Sequence, residues 1–255
     1  MPLHPRLGVS TWSLHKSLSG GTPLLDIPSQ VAAHGLSKLE VCHFHFPSTD
    51  TEFLTRFRTA IAESGIEFYT LLIDEGDLTH PDPAERQKAV EGMCRWIDIA
   101  AECGAARVRV SAGNASPTPE NLQLSVLGLE EVCRYAKSMG VGIVTENWHE
   151  LLDHPAEVLS LLASLHGDLG LKMDFGNWGG VRKYDDLPKI APLAVCTHAK
   201  AAFTAPGILD EADFAHCLAI CRDAGFSGPH ILIFSDPGDE WESLDLMRDF
   251  VLAAL

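Results

Sequence analysis

Glu146, Asp174 and His198 each close a short apolar run in the second half of the chain: Val141-Gly-Ile-Val-Thr-Glu146, Leu169-Gly-Leu-Lys-Met-Asp174 and Leu193-Ala-Val-Cys-Thr-His198. Two carboxylates and an imidazole form a donor set for a hard or borderline divalent cation. Residues so far apart in sequence meet only if the fold gathers the ends of their runs. A parallel barrel does this, because all of its strands finish on one rim. Lys200 stands two residues past His198 and His149 three past Glu146, so an ammonium and a second imidazole fall near the same rim for proton transfer or oxygen polarisation.

The elements needed to place these groups can be read along the chain. Eight apolar runs occupy roughly 7–12, 38–44, 66–73, 106–111, 141–146, 169–174, 193–199 and 230–235. Their Val, Ile and Leu content and short length predict buried strands. Helical spacing fills the gaps, at 24–34, 51–64, 83–103, 119–139, 155–166, 184–191, 211–224 and 239–254. The clearest helix begins after Asp82 with Pro83 in its first turn and stops at Gly104; the segment from Pro119 to Gly140 repeats the design. Strand then helix, eight times, predicts a single (β/α)8 TIM barrel, an α/β fold, over residues 1–255. A doubly wound open sheet is the rival, but no G-x-G-x-x-G follows the first run.

Polar residues collect at the far end of nearly every run. They include Trp12 with Ser13, His43 with His45, Asp74 with Glu75, Ser111 with Asn114, and Ser235 with Asp236. The run starts lack such clusters, so one face of the barrel is functional. Alternation along a strand then turns Lys172 inward one layer below Asp174, and Cys196 and Lys200 inward with His198. A buried Lys needs a counter-charge, for which Glu40 on the second run is the candidate. Arg107 and Arg109 share one side of the fourth run; they read as an internal ion-pair layer or as substrate contacts.

Composition narrows the function classes. The 255 residues are 46% hydrophobic, which supports a full core. The net charge of −16 disfavours nucleic acid and anionic membranes as partners. No stretch approaches the ~20 apolar residues of a membrane span. The first ten residues carry no export-type apolar region, so a cytoplasmic protein is expected. Seven cysteines without a CxxC pair read as small buried hydrophobes.

At this point the residues match a family. The chain resembles the xylose isomerase-like TIM-barrel superfamily of sugar isomerases, ketose 3-epimerases, hydroxypyruvate isomerase, inosose dehydratase and endonuclease IV. The likeness rests on Leu7-Gly-Val-Ser-Thr-Trp-Ser, Leu39-Glu-Val, Thr145-Glu146-Asn147, Met173-Asp174-Phe-Gly-Asn177, Thr197-His198-Ala-Lys200 and Asp239-Glu240-Trp241-Glu242. It implies that Glu146, Asp174 and His198 bind Mn2+, Mg2+ or Zn2+, together with a second Glu from the eighth strand. Here the chain departs from the pattern: Ile233 stands where that Glu belongs, so the ion is held less firmly. Asp236 or His149 could substitute. The resemblance implies a metal-dependent sugar isomerase or epimerase working on a monosaccharide or keto-sugar derivative through an enediolate. Loss of one carboxylate weakens two-base epimerisation and leaves one-base isomerisation. A lyase eliminating from a keto sugar or cyclitol, and an inactive sugar-binding barrel, are the alternatives. The expected catalytic residues are Glu146, Lys200 and His149. Substrate contacts are expected from Trp12, His43, His45, Arg109, Trp148 and Asn177. Barrels of this kind pair through their outer helices, so a homo-oligomer is expected.

Overall fold

The computed structural model describes residues 2–255. Its first half runs β1 (His4–Ser10), α1 (His15–Ser19), α2 (Ile27–Ala33), β2 (Leu36–Cys42), α3 (Thr51–Ser64), β3 (Glu67–Leu72), α4 (Pro83–Cys103), β4 (Arg107–Arg109) and α5 (Pro119–Met139). The second half adds β5 (Gly142–Glu146), α6 (Pro155–Ser164), β6 (Leu169–Asp174), α7 (Lys183–Ile190), β7 (Ala194–Lys200), β8 (Phe203–Ala205), β9 (Ile208–Leu209), α8 (Glu211–Asp223), β10 (His230–Ile233) and α9 (Glu240–Ala254). Eight strands close into a barrel in the order β1-β10-β7-β6-β5-β4-β3-β2, and every pair in it is parallel. This is the expected TIM barrel. Among the described residues, no helix is long and apolar enough to cross a membrane.

Local chemistry sets the element ends. Asp82 accepts a hydrogen bond from the Ala84 amide (2.8 Å) and Thr118 from that of Asn121 (3.2 Å), each followed by a proline in the first turn. Gly104 and Gly140 end these helices at φ 77° and 74°, a left-handed geometry that costs glycine nothing. Two features depart from the expected elements. The first strand lies at His4–Ser10 rather than 7–12, because Ser10 Oγ accepts the Trp12 amide (3.2 Å) and turns residues 11–14 into a short 3-10 helix. The β8–β9 hairpin was not expected; it is too short and too exposed to carry an alternating apolar signal.

Strand alternation sorts the side chains into two environments. Val9, Leu39, Val41, Val108, Leu171, Met173 and Leu232 face outward and pack in the main hydrophobic core with residues of the helices. The intervening positions face inward, and much of that interior is charged. Lys172 and Glu40 are both fully buried and paired with each other. Below them, Lys38 Nζ and the Arg107 guanidinium lie 5.0 and 4.6 Å from the centre of the Tyr69 ring. Gly8 makes room for this layer. A Cβ there would sit 2.7 Å from both Ile231 Cδ1 and Lys38 Cβ.

His230 starts β10 in a buried site with Nδ1 2.9 Å from Thr197 Oγ1. Burial, with Arg6 nearby, pushes its pKa down from 6.5 to about 4. The unfolded chain therefore binds a proton near pH 6.5 that the native protein refuses until near pH 4. Stability falls across that window as pH drops, by up to about 3 kcal/mol from this residue. Urea denaturation at pH 6.5 and pH 4 should show the wild type losing more stability than His230→Asn by about that amount. Parallel losses would remove His230 as the cause.

Candidate active site

Glu146, Asp174 and His198 end up at the carboxyl ends of β5, β6 and β7, three neighbouring strands of the barrel. Asp174 and His198 are direct register partners, which follows from the alternation that also buries Lys172 beside Cys196. One donor atom from each of the three residues lies within 4.8 Å of the others, and all three residues are buried. His198 Nδ1 is 3.4 Å from Glu146 Oε2 and 3.5 Å from Asp174 Oδ2. Donors bonded at ~2.0–2.2 Å to one ion at tetrahedral angles are about 3.4 Å apart. Glu146 Oε2 is also buried without a hydrogen-bond partner, an arrangement that a cation would satisfy. The residues present therefore fit a divalent ion.

Each donor is held in place by a second group. The Asn147 side chain bridges β5 and β6: its Oδ1 accepts the Asp174 amide (2.7 Å) and its Nδ2 donates to the Asp174 carbonyl (3.1 Å). Asp174 Oδ1 accepts the amides of Gly176 (2.6 Å) and Asn177 (2.8 Å), which leaves Oδ2 for the cluster. Asn177 Nδ2 donates to Glu146 Oε1 (2.6 Å) and so leaves Oε2. His198 Nε2 lies 2.8 Å from Glu40 Oε2, while the other Glu40 oxygen meets Lys172. An ionised carboxylate only accepts, so the Nε2 hydrogen points at Glu40 and Nδ1 is left facing Glu146 and Asp174.

The charges reinforce this geometry. Burial would raise the Glu40 pKa, but Lys172 and His198 outweigh it and hold the carboxyl well below its ordinary value. Burial opposes ionisation of Glu146 too, and His198 with Arg109 overcomes it. Burial and Lys172 would keep His198 neutral, yet Glu146, Glu40 and Asp174 push it up to about 10. The carboxylates thus draw one positive charge to Nδ1. A divalent ion answers that demand better than a proton, because it can face Glu146 and Asp174 at once.

Above the cluster opens a cleft of about 130 Å³. Of the residues expected from sequence, Trp12, Arg109, Trp148, Asn177 and Lys200 line it with the three donors. Among the described residues no carboxylate lies within ion-pair distance of the Lys200 ammonium. Ile233 forms the wall at β10, in register with Lys200.

His43, His45 and His149 do not line the cleft. His43 Nδ1 accepts the Asp74 amide at 3.3 Å. His45 reaches Thr11 Oγ1 (2.9 Å) and His15 Nδ1 (3.3 Å), and burial followed by His15 pushes it down to about 4. His149 stacks on Trp148 at 3.8 Å between ring centres, with a strained φ of 59°. Neither His149 nor Asp236 joins the donor cluster. Asp236 instead accepts the Phe203 amide at 3.3 Å. Of the aromatic residues, Phe175 and Trp178 are core, with Trp178 Nε1 donating to the Leu152 carbonyl.

Ser10, Cys42, Leu72 and Asp74 also line the cleft without having been expected there, and of these Asp74 is the one that carries a charge. Its Oδ1 forms an ion pair with Arg109 Nη2 at 2.5 Å. Arg109 in turn donates Nη1–H to the Ile73 carbonyl (2.9 Å), places Nε 3.4 Å from Glu146 Oε2 and carries the Trp148 ring at 4.9 Å. The signal for Asp74 was its strand-end position, shared with Glu146 and Asp174.

Comparison with known proteins follows this geometry. Residues 28–249 match the family model described as xylose isomerase-like TIM barrel. L-ribulose 3-epimerase superposes with a TM-score of 0.77 at 18% identity, over 99% of this chain and 95% of that one. D-psicose 3-epimerase with D-tagatose, from Clostridium cellulolyticum H10, gives 0.75 at 14% identity over 98% and 99%. A xylose isomerase-like TIM barrel protein from Mycobacterium smegmatis in complex with magnesium gives 0.70 at 15% identity over 92% and 89%. At these identities the structures show a shared fold. No curated protein matches the chain in sequence.

Removing Lys172 strips the buried Glu40 carboxylate of its ammonium partner and leaves it only the His198 Nε2–H. Lys172→Met should cost about 3–5 kcal/mol in urea denaturation. A loss below about 1 kcal/mol would show that the Lys172–Glu40 pair does not support the barrel interior.

Proposed function

The chain belongs to the xylose isomerase-like TIM barrel family, and on that premise we propose that it is a metal-dependent sugar isomerase or epimerase acting on a monosaccharide or keto-sugar derivative. The observation that carries this reading is the convergence of Glu146, Asp174 and His198 at the floor of a cleft that also presents Lys200. The fold neighbours are named as ketose 3-epimerases, and one is described with magnesium, which supports the same class.

In this reading Glu146, Asp174 and His198 hold the ion. When bound, a divalent ion supplies positive charge that polarises adjacent carbonyl and hydroxyl oxygens and acidifies the neighbouring C–H. Glu146, kept ionised by His198 and Arg109, serves as the base that takes the proton from carbon. Lys200 donates to the substrate oxygen from the β7 side. Trp12 and Trp148 offer apolar ring faces to the C–H face of a sugar, and Arg109 fixes Trp148 from beneath. Asp74, across the barrel from Lys200, accepts from a substrate hydroxyl. His149 acts indirectly, by its stacking on Trp148.

Ile233 shapes the choice of reaction. A side chain that cannot carry a proton forms the β10 wall, so the face of the sugar that turns to it has no acid or base there. This favours proton removal and return on one face, as in aldose–ketose isomerisation, over transfer between two faces. It also favours a second reading, elimination from a keto sugar, in which Glu146 removes the proton and Lys200 protonates the departing hydroxyl.

Metal analysis after loading with Mn2+ should find about one ion per chain, and Asp174→Ala should lose it. Proton NMR in deuterated water with a panel of ketoses and keto sugars should show solvent deuterium at an α-carbon; a new vinylic signal would select the elimination. Glu146→Gln should lower the exchange rate by about 10²–10⁴-fold. A protein that binds no ion and exchanges no proton across the panel would be the inactive sugar-binding barrel instead.

A further inference from the structure

A second chamber opens beside the cleft. Its volume is about 410 Å³, against about 130 Å³ for the cleft itself, and Trp12 forms a wall of both. Taken alone, the cleft is small for a ligand site, whereas the two chambers together fall within the ~300–1,000 Å³ usual for one. What the second chamber presents is mainly ring surface from Trp12 and Phe44, with the buried Phe234 at its edge. Trp12 and Phe44 are 47% and 45% exposed, and they meet edge to face at 6.3 Å between ring centres. Two large aromatic side chains left this open at the functional rim mark a binding surface.

Much of the polar surface around it is already engaged. Ser13 Oγ donates to the Leu232 carbonyl (3.2 Å) and accepts the Phe234 amide (2.9 Å). The Glu240 carboxylate accepts the amides of Lys16 (2.7 Å) and Ser17 (3.0 Å), as well as the Ser17 hydroxyl. Lys16 Nζ donates to the Gly238 carbonyl at 3.2 Å. Ser235, Asp236 Oδ1 and one ring nitrogen of His15 remain open to a ligand, but most of the chamber's exposed lining is apolar. A flat apolar ring needs only the aromatic faces.

We propose that the substrate is larger than a monosaccharide: a keto-glycoside whose sugar ring, carrying the carbonyl, occupies the cleft over Glu146 and whose aromatic aglycone stacks on Trp12 and Phe44 in the second chamber. The proposal rests on the sugar reading of the first cleft and adds the identity of what the sugar carries. It requires no further covalent step: the proton moves between the C–H and the carbonyl at neighbouring ring carbons, and the glycosidic bond is kept.

Isothermal titration of the Mn2+-loaded protein with methyl glucoside, 4-nitrophenyl glucoside and cellobiose separates the possibilities, and it reads binding without turnover. The nitrophenyl glycoside should bind about tenfold more tightly than the methyl glycoside. Cellobiose should gain no such factor. Phe44→Ala, which truncates an exposed ring lining only the second chamber, should bring the nitrophenyl-to-methyl ratio close to one, with its fold checked by circular dichroism. If methyl and nitrophenyl glycosides bind alike, the aromatic subsite is wrong while the sugar reading stands. A gain for cellobiose equal to that for the nitrophenyl glycoside would replace the aromatic group with a second sugar. Absence of binding by all three would overturn the subsite and the sugar reading together.

Discussion

The site depends on how one buried ammonium is neutralised. Strand alternation puts Lys172 inside the barrel at the layer below Asp174, where its side chain has no access to solvent. A charge in that position is tolerable only with a partner. Glu40, from the far side of the barrel, meets it with one oxygen and uses the other to fix His198 Nε2. The imidazole then has one ring nitrogen left, and it faces the two carboxylates at the ends of β5 and β6. A structural requirement on β6 is thereby converted, through β2, into an aimed donor on β7. For the carboxylates, the Gly176 and Asn177 amides occupy Asp174 Oδ1 and the Asn177 side chain occupies Glu146 Oε1, while Asn147 fixes the Asp174 backbone.

Much of this was legible in the sequence because it follows from period and termination. Runs of Val, Ile and Leu broken by Gly and Pro located the strands, and the Asp82-Pro83 and Thr118-Pro119 starts located the longest helices. The period of two also showed that Lys172 turns inward with Asp174, and Glu40 was its candidate partner. What could not be read was the course of the chain beyond each strand. His43, His45 and His149 sit at strand ends like the true lining residues, but each is turned to another use by its loop. His149 adopts φ 59°, a conformation that residue type alone would not suggest. Asp74 failed to stand out for the opposite reason. Its role depends on Arg109, which bridges β3 and β5 in space without any fixed sequence spacing.

Ile233 illustrates how a single side chain alters a site without disturbing the fold. It occupies an inward position of β10, two residues beyond Ile231, in register with Lys200 of β7, and β10 as a whole keeps regular register with β7 and β1. The ion-holding geometry on β5, β6 and β7 owes nothing to it. What changes is the polarity of one wall of the cleft, and with it the set of faces on which a proton can be moved. The exposed pair Trp12 and Phe44 continues that apolar surface outward, so the cleft is asymmetric: charged toward β3, β5, β6 and β7, apolar toward β1 and β10.

The indole of Trp12 is the partition between two compartments of unequal size, and it lies in a 3-10 turn held by the hydroxyls of Ser10, Thr11 and Ser13. Neither compartment can be reshaped at that residue without reshaping its neighbour. A substitution that enlarges one compartment therefore alters the other through the same ring, whereas Phe44 and Ile233 each border one compartment alone.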